Sequence, residues 1–425
     1  MCIRICNLRS PRTLIAALTA GAWVLCAAGT AVASPTFTVT SQTDAALATP
    51  SSALCETSAH TCTLRAAIQA ADNRGGASTI ALPAGYYRLT IASSGANEPS
   101  NGDLDIKGTG TAITLDGATA ATTLIDANHI DRAFAVQHGA SFTLAGVTIR
   151  SGASAASNGS SEGGYSTAHG RGGAIYNAGT LKVESSVLEE NKAFEGGAVF
   201  SSPEATSTTV IGTTANYDTG SCYGGGIMVE GGTLTLTGDT LAHANGGCEG
   251  GAVFAGNYTT PATMGTVTIS GCTFAADTGY YGGGIYLVKV APSVTISSSI
   301  FTDDAANGFG GAIASIEGGL VSVSASTFSG SDSGAIGGGI GAKKGGLLTV
   351  RGSTFNGNVA TSDGGALGLE ANDLTVSEST FRDNDATYGG AILVDGSTAT
   401  AAESITSSSF YANNATSTGG GAVYD

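Results

Sequence analysis

The sequence predicts an all-β parallel β-helix, a solenoid closed at its N-terminal end by a strand and a helix. Three features predict it: a recurring diglycine, a short strand-like phrase after it, and a large apolar residue further on. The diglycines are Gly172-Gly173, Gly196-Gly197, Gly225-Gly226, Gly250-Gly251, Gly283-Gly284, Gly310-Gly311, Gly338-Gly339, Gly364-Gly365, Gly389-Gly390 and Gly420-Gly421. Their spacing averages about 28 residues, a period that belongs to stacked repeats.

The strand phrases alternate apolar and hydroxyl residues, as in Val267-Thr268-Ile269-Ser270, Val294-Thr295-Ile296-Ser297 and Val321-Ser322-Val323-Ser324. Leu348-Thr349-Val350 and Leu374-Thr375-Val376-Ser377 repeat the pattern. A period of two with β-branched residues places one face inward. Next come Phe274, Phe301, Phe328, Phe355, Phe381 and Phe410, each followed three positions on by Asp277, Asp304, Ser331, Asn358, Asn384 or Asn413. No repeat carries a helical period, so strands and bends must close each coil. Stacking at roughly 4.8 Å then sets Phe on Phe inside and Asx on Asx at a corner. Small polar Asx residues tolerate such bends, and the diglycines supply positive φ and close backbone approach. A phosphate-cradling loop would need a helix behind the glycines, and none is visible.

Ahead of the solenoid, Thr36-Phe37-Thr38-Val39-Thr40 alternates as a strand, and Thr63 to Ala71 is the best helical stretch, with Leu64, Ala67, Ile68 and Ala71 on one face. This segment is placed to cover the open end of the stack. Ile80 to Leu89 then begins the first coils. The predicted organisation is a leader at 1–33, a cap at 34–78 and a β-helix at 79–425, with clear repeats over 170–425. Arg4, Arg9 and Arg12 precede an apolar run that ends in Ala31-Val32-Ala33, the form of a cleaved export signal. Nothing later in the sequence is long and apolar enough for a helical membrane span. The expected location is therefore secreted or at the cell surface.

The chain carries a formal charge of −16, and loss of the leader's arginines takes it to about −19. Such a surface repels nucleic acid and anionic lipid, which excludes both as partners. In an oxidising compartment Cys55 and Cys62 would make a local disulfide. Cys222 and Cys248 precede successive diglycines, so stacking brings them within bonding reach. Cys272 stands where other repeats carry Ser and is expected to stay free.

Cys62-Thr63-Leu64-Arg65-Ala66-Ala67-Ile68, with its upstream Cys and the later Ile80-Ala81-Leu82-Pro83-Ala84-Gly85-Tyr86, resembles the CSLREAI domain of bacterial surface proteins, with Thr for Ser and Ala for Glu. The Gly-Gly-Ala-Ile phrases, and Phe355-Asn356-Gly357-Asn358 and Phe381-Arg382-Asp383-Asn384, resemble the repeats of polymorphic outer membrane proteins. The two resemblances imply a right-handed β-helix exposed at the cell surface or in the cell outer membrane, often an adhesin, and supply no catalytic residues. Members of the second family also carry a C-terminal membrane barrel, which has no counterpart here. The sequence stops in mid-coil at Gly419 to Asp425, so that coil is expected to meet a partner chain or a further C-terminal region.

Function is expected to be adhesion or glycan binding without catalysis. Phe194, Tyr223, Tyr281, Phe309 and Tyr388 each precede a diglycine by one or two residues and so fall along one edge, where sugar rings would stack; the bland alternative is that they cover the corner and pack on each other. The second expectation is a polysaccharide lyase or glycoside hydrolase, since this fold hosts both. Its candidates are Asp303-Asp304 and the pair Asp103 and Asp105, which with Asp116 and Asp126 would form an acidic stripe suited to acid–base work or a metal ion. Asp304 is equally a corner residue. The histidines, His60, His129, His138, His169 and His243, are scattered and read as surface residues. No cofactor is expected, and no Cys or His pair has zinc spacing. A third expectation is a structural module whose stacking edge joins other chains.

Overall fold

The computed structural model describes residues 34–92, 102–154, 170–257, 264–289, 293–395, 403–417 and 419–425. The expected leader, 1–33, and His169 lie outside the described residues. One coil illustrates the rest. Ile175–Asn177 lies on one face, Thr180–Glu184 on a second and Val187–Glu189 on a third. Lys192–Glu195 forms a short strip, and the chain turns at Gly196-Gly197 to re-enter the first face at Val199–Ser201. Each strand pairs in parallel with its counterpart one coil on. Among the described residues this builds a 13-stranded sheet (sheet I, the face of Thr180–Glu184) and two of 12 strands: sheet II, the face of Val187–Glu189, and sheet III, the face of Ile175–Asn177. The fold is the right-handed parallel β-helix that the repeat predicts.

The diglycine has two separate causes. Gly310 takes φ +69°, which closes the turn. Gly311 has ordinary backbone, but a Cβ there would lie 2.2 Å from the carbonyl oxygen of Gly338 in the next coil. In this pair the first glycine is thus needed for conformation and the second for contact between coils; where three glycines run together, as at Gly224-Gly225-Gly226, the same two roles fall on the first two.

Inside, Phe274, Phe301, Phe328, Phe355 and Phe381 are fully buried, and Phe410 continues the column. Their rings stack almost parallel, with centroids 4.6–5.0 Å apart. Between sheets I and II runs a hydroxyl ladder. The backbone N–H of Ser299 donates to Ser326 Oγ, and that of Ser326 donates to Ser353 Oγ, both at 3.2 Å. Cys272 occupies a rung of this ladder, buried and unbridged, with its own N–H donating to Ser299 Oγ at 3.2 Å. Between sheet II and the short strip runs the corner Asx ladder. There the N–H of Asn358 donates to Asn384 Oδ1 at 3.0 Å, and that of Asn384 to Asn413 Oδ1 at 3.1 Å.

At the N-terminal end, Thr36–Thr38 forms the edge strand of sheet I, paired with Ala77–Leu82, and helix α1, Leu64–Arg74, lies over the first coils. Thr63 caps α1 by accepting the Ala66 N–H at 3.1 Å. Leu64, Ala67, Ile68 and Ala71 are buried as the pattern predicts, but so are Arg65, Ala66 and Ala70, because the loop before α1 covers its other flank. Cys55–Cys62 and Cys222–Cys248 are both bonded, with Cα separations of 5.1 and 4.4 Å. Closing the Cys55–Cys62 loop restricts the unfolded chain, so replacing both residues with Ser is expected to lower stability by about 2–3 kcal/mol. Denaturant melts of the oxidised protein and the double variant test this; coincident curves would reject it.

Candidate functional site

On sheet III the residues between the inward-facing ones point out of the solenoid. In register they read Asp105, Ala135, Tyr176, Phe200, Met228, Phe254, Tyr286, Ala314, Gly341, Gly368, Leu393 and Tyr424. Outward residues ought to be wet, yet Phe200, Phe254 and Tyr286 are buried. The cover comes from the residues just before the diglycines, which fold over this face. Tyr223 packs on Phe254 with centroids 5.4 Å apart, and Tyr281 lies 5.7 Å from Tyr286 and 4.7 Å from Phe309. Together they form a second apolar core outside the lumen.

This packing corrects the expected edge of aromatic residues. Phe309 is buried, Tyr223 and Tyr281 are half-buried in the second core, and only Phe194 and Tyr388 stand exposed. Phe194 meets Tyr223 edge-on at 6.5 Å. A continuous open platform through these five residues does not exist.

The outer core stops where the outward position becomes glycine. A Cβ on Gly368 would lie 2.3 Å from Ile336 Cγ2, so the Ile336 side chain closes the face there. Beyond it opens a cavity of about 360 Å³, lined by Asp363, Glu370, Tyr388, Leu393, Val394, Asp395, Tyr424 and Asp425. The Tyr388 and Tyr424 rings are both exposed and have centroids 5.9 Å apart. Four acids line it: Asp363, which bridges to Tyr388 one coil on, Glu370 and Asp395, which stand in register on neighbouring coils, and Asp425. Lys343, one coil further back, holds Glu370 Oε1 at 3.2 Å.

Tyr388 is the one predicted residue in this cavity. The rest were legible in principle. Asp363 has the pre-diglycine position of Tyr281 and Tyr388, and Glu370 and Asp395 occupy one position after successive diglycines.

The expected acidic stripe is also corrected. Asp105 lies on sheet III, Asp116 on sheet I and Asp126 on sheet II, so they face three directions. Asp116 is exposed, while Asp126 pairs with Arg150 and accepts the Tyr86 hydroxyl. Asp103 and Asp105 do come together, at the opposite end of the outer core. Arg132 Nε is 3.2 Å from Asp103 Oδ2, and Asp105 binds Lys107 Nζ at 3.1 Å and Gln137 Nε2 at 2.9 Å. Burial pushes the Asp103 carboxyl up to about 7 against the pull of Arg132, with Asp105 and Asp131 reinforcing the rise. Asp303 and Asp304 are separated by the coil wall: Asp303 takes φ +56° and is exposed, whereas Asp304 is buried in the Asx ladder. They do not share a site.

Of the described histidines, His60 pairs with Glu56 and His243 stacks on Tyr217 at 4.7 Å. Among the described residues no three His, Cys, Asp or Glu side chains converge as for a metal ion, and no helix is long and apolar enough to cross a membrane.

The fold defines the class, a right-handed parallel β-helix, and the family described as right handed beta helix region matches residues 258–424. No curated protein matches the chain. Among solved structures the chain is similar to the catalytic unit of a GH87 α-1,3-glucanase from Streptomyces thermodiastaticus, at 15% identity and a TM-score of 0.40. That match covers 74% of this chain, which spans 65% of the glucanase unit's length. It is also similar to the A-module of the mannuronan C-5 epimerase AlgE6 from Azotobacter vinelandii, at 13% identity and a TM-score of 0.35, covering 81% of this chain and 94% of the module.

Proposed function

We propose that this is an exported or surface-exposed β-helix protein, of the kind the CSLREAI-like and repeat motifs suggest, that binds a glycan in the Tyr388–Tyr424 cavity. One observation carries the reading: two exposed tyrosine rings and several carboxylates line the same concave site. Sugar rings present apolar C–H faces and a rim of hydroxyls. Aromatic faces cover the former, and carboxylate oxygens accept from the latter. Tyr388→Ala combined with Tyr424→Ala is expected to weaken binding of a neutral polysaccharide at least tenfold, about 1.4 kcal/mol, without altering circular dichroism. Affinity electrophoresis on a panel of glycan polymers is the measurement. Unchanged retardation of the double variant, or no retardation of the native protein on any polymer, would overturn the proposal.

A second reading, polysaccharide cleavage, draws support from the other end of the same face. There Asp103, its carboxyl raised to about 7 by burial, sits beside a second carboxyl, Asp105, and two neighbouring carboxyls are what glycoside cleavage uses. Reducing-end assays on the same polymers decide it. Products that vanish with Asp103→Asn would replace simple binding by catalysis.

A further inference from the structure

The Asx ladder between sheet II and the short strip changes chemistry along its length. In the later coils each asparagine makes two kinds of bond. Its Oδ1 accepts the N–H from the coil before, and its Nδ2 donates to a carbonyl of that coil's phenylalanine strand. Asn358 Nδ2 reaches Phe328 O at 3.1 Å, Asn384 Nδ2 reaches Phe355 O at 3.1 Å, and Asn413 Nδ2 reaches Phe381 O at 3.0 Å.

In the middle coils the same rungs are Asp218, Asp277 and Asp304, each fully buried. Their Oδ1 atoms do what an asparagine's does. Asp218 Oδ1 accepts from the Asn191 N–H at 2.8 Å, Asp277 Oδ1 from Ala244 at 2.8 Å, and Asp304 Oδ1 from Asp277 at 3.1 Å. Each Oδ2 therefore falls where Nδ2 stands in the later coils, and all three Oδ2 atoms lack a partner. An ionised oxygen has no proton to offer a carbonyl, and a buried carboxylate without a partner is strongly disfavoured. A protonated carboxyl supplies the missing donor. By the ladder's register its acceptors are the carbonyls of Leu188, Leu241 and Phe274, the middle residues of Val187–Glu189, Thr240–Ala242 and Thr273–Ala275.

We propose that Asp218, Asp277 and Asp304 are carboxylic acids serving as asparagine surrogates, and that their ionisation makes these middle coils a pH-operated weak point. Asp277 and Asp304 sit on consecutive rungs, and the charged groups acting on them are each other and Asp303, all acidic. Asp218 faces Asn191 on the preceding coil and feels the charge of Glu189. Burial pushes Asp218 up to about 7 and raises the coupled pair well above the carboxylate range. The folded acids thus keep protons that the unfolded chain releases near pH ~4. Stability is full below that pH and falls as pH rises through the folded values.

Hydrogen exchange of the full chain, corrected for the intrinsic base-catalysed rate, tests this. Between pH 5 and 9, opening over 270–306 is expected to increase at least about tenfold more than over 350–384, where the rungs are Asn. Asp277→Asn with Asp304→Asn installs the residue the later rungs already use and should flatten that difference. An equal response of both segments, or a double variant that keeps the native profile, would overturn the proposal. Carbon-13 NMR of aspartate-labelled protein gives a check without mutation. Carboxylic-acid Cγ resonances persisting at pH 6 beyond those of Asp72, Asp103 and Asp239, whose carboxyls burial also raises, are expected, and none beyond these would overturn it.

Discussion

Phe328→Ala is expected to cost about 3–5 kcal/mol and to loosen the coils on both sides of it. The ring is fully buried, with Phe301 and Phe355 stacked on its two faces at 4.6 Å. Its removal leaves a void that rigid strands cannot collapse to fill, since each is pinned by ladder bonds above and below. In a solenoid every coil leans on its neighbours alone, so a fault in one is passed to both. Denaturant unfolding gives the magnitude, and hydrogen exchange over 297–360 gives the spread. A loss below about 1 kcal/mol would mean that the column is loosely packed.

Arg65→Ala is the second large effect, again about 3–5 kcal/mol. The guanidinium is buried in α1 and grips Asp44 through Nε at 2.6 Å and one terminal nitrogen at 3.1 Å. It also donates to the carbonyls of Gly102 and Asp103. Asp44 in turn accepts the N–H groups of Thr90 and Ile91. One side chain thus ties the cap loop, the helix and the first coils together. Without it, a buried carboxylate loses its charged partner and keeps only two backbone donors, and the two carbonyls lose the guanidinium bonds. Limited proteolysis should then cut within 34–92 before the repeats are touched. An unchanged cleavage pattern and melt would show that the ion pair is dispensable.

How much of this was readable in advance depends on what repetition can report. The diglycines, the Phe column and the Asx rungs recur at one interval, so their stacking follows from spacing alone. The outer core is different. Phe200, Phe254 and Tyr286 sit between inward residues of their strands, and alternation assigns them to solvent. Their burial arises because the pre-diglycine residues fold back over them, a tertiary event that leaves no periodic mark. The same event hid Phe309 and spoiled the expected open edge. Asp116 and Asp126 were misplaced for another reason. The first coils lack diglycines to count from, so nothing in the sequence says which of three faces a residue there will join. The Tyr388 cavity was half legible: its tyrosine repeats an earlier position, but the widening beside it depends on Gly341 admitting Phe309 and Gly368 letting Ile336 close the face.

The hydroxyl ladder has a consequence for how this chain can change length. Ser299, Ser326 and Ser353 are linked by identical bonds across 27 residues each. Excising one such unit would leave two cut surfaces that fit as the originals did, whereas losing a single strand residue would turn every side chain beyond it inside out as far as the next bend. Growth and shrinkage are therefore quantised. The molecule gains or sheds whole turns, each worth roughly 4.8 Å along its axis, and insertions of any other size belong in the bend from sheet III into sheet I, which already takes two residues after Asn177 and five after Ser201.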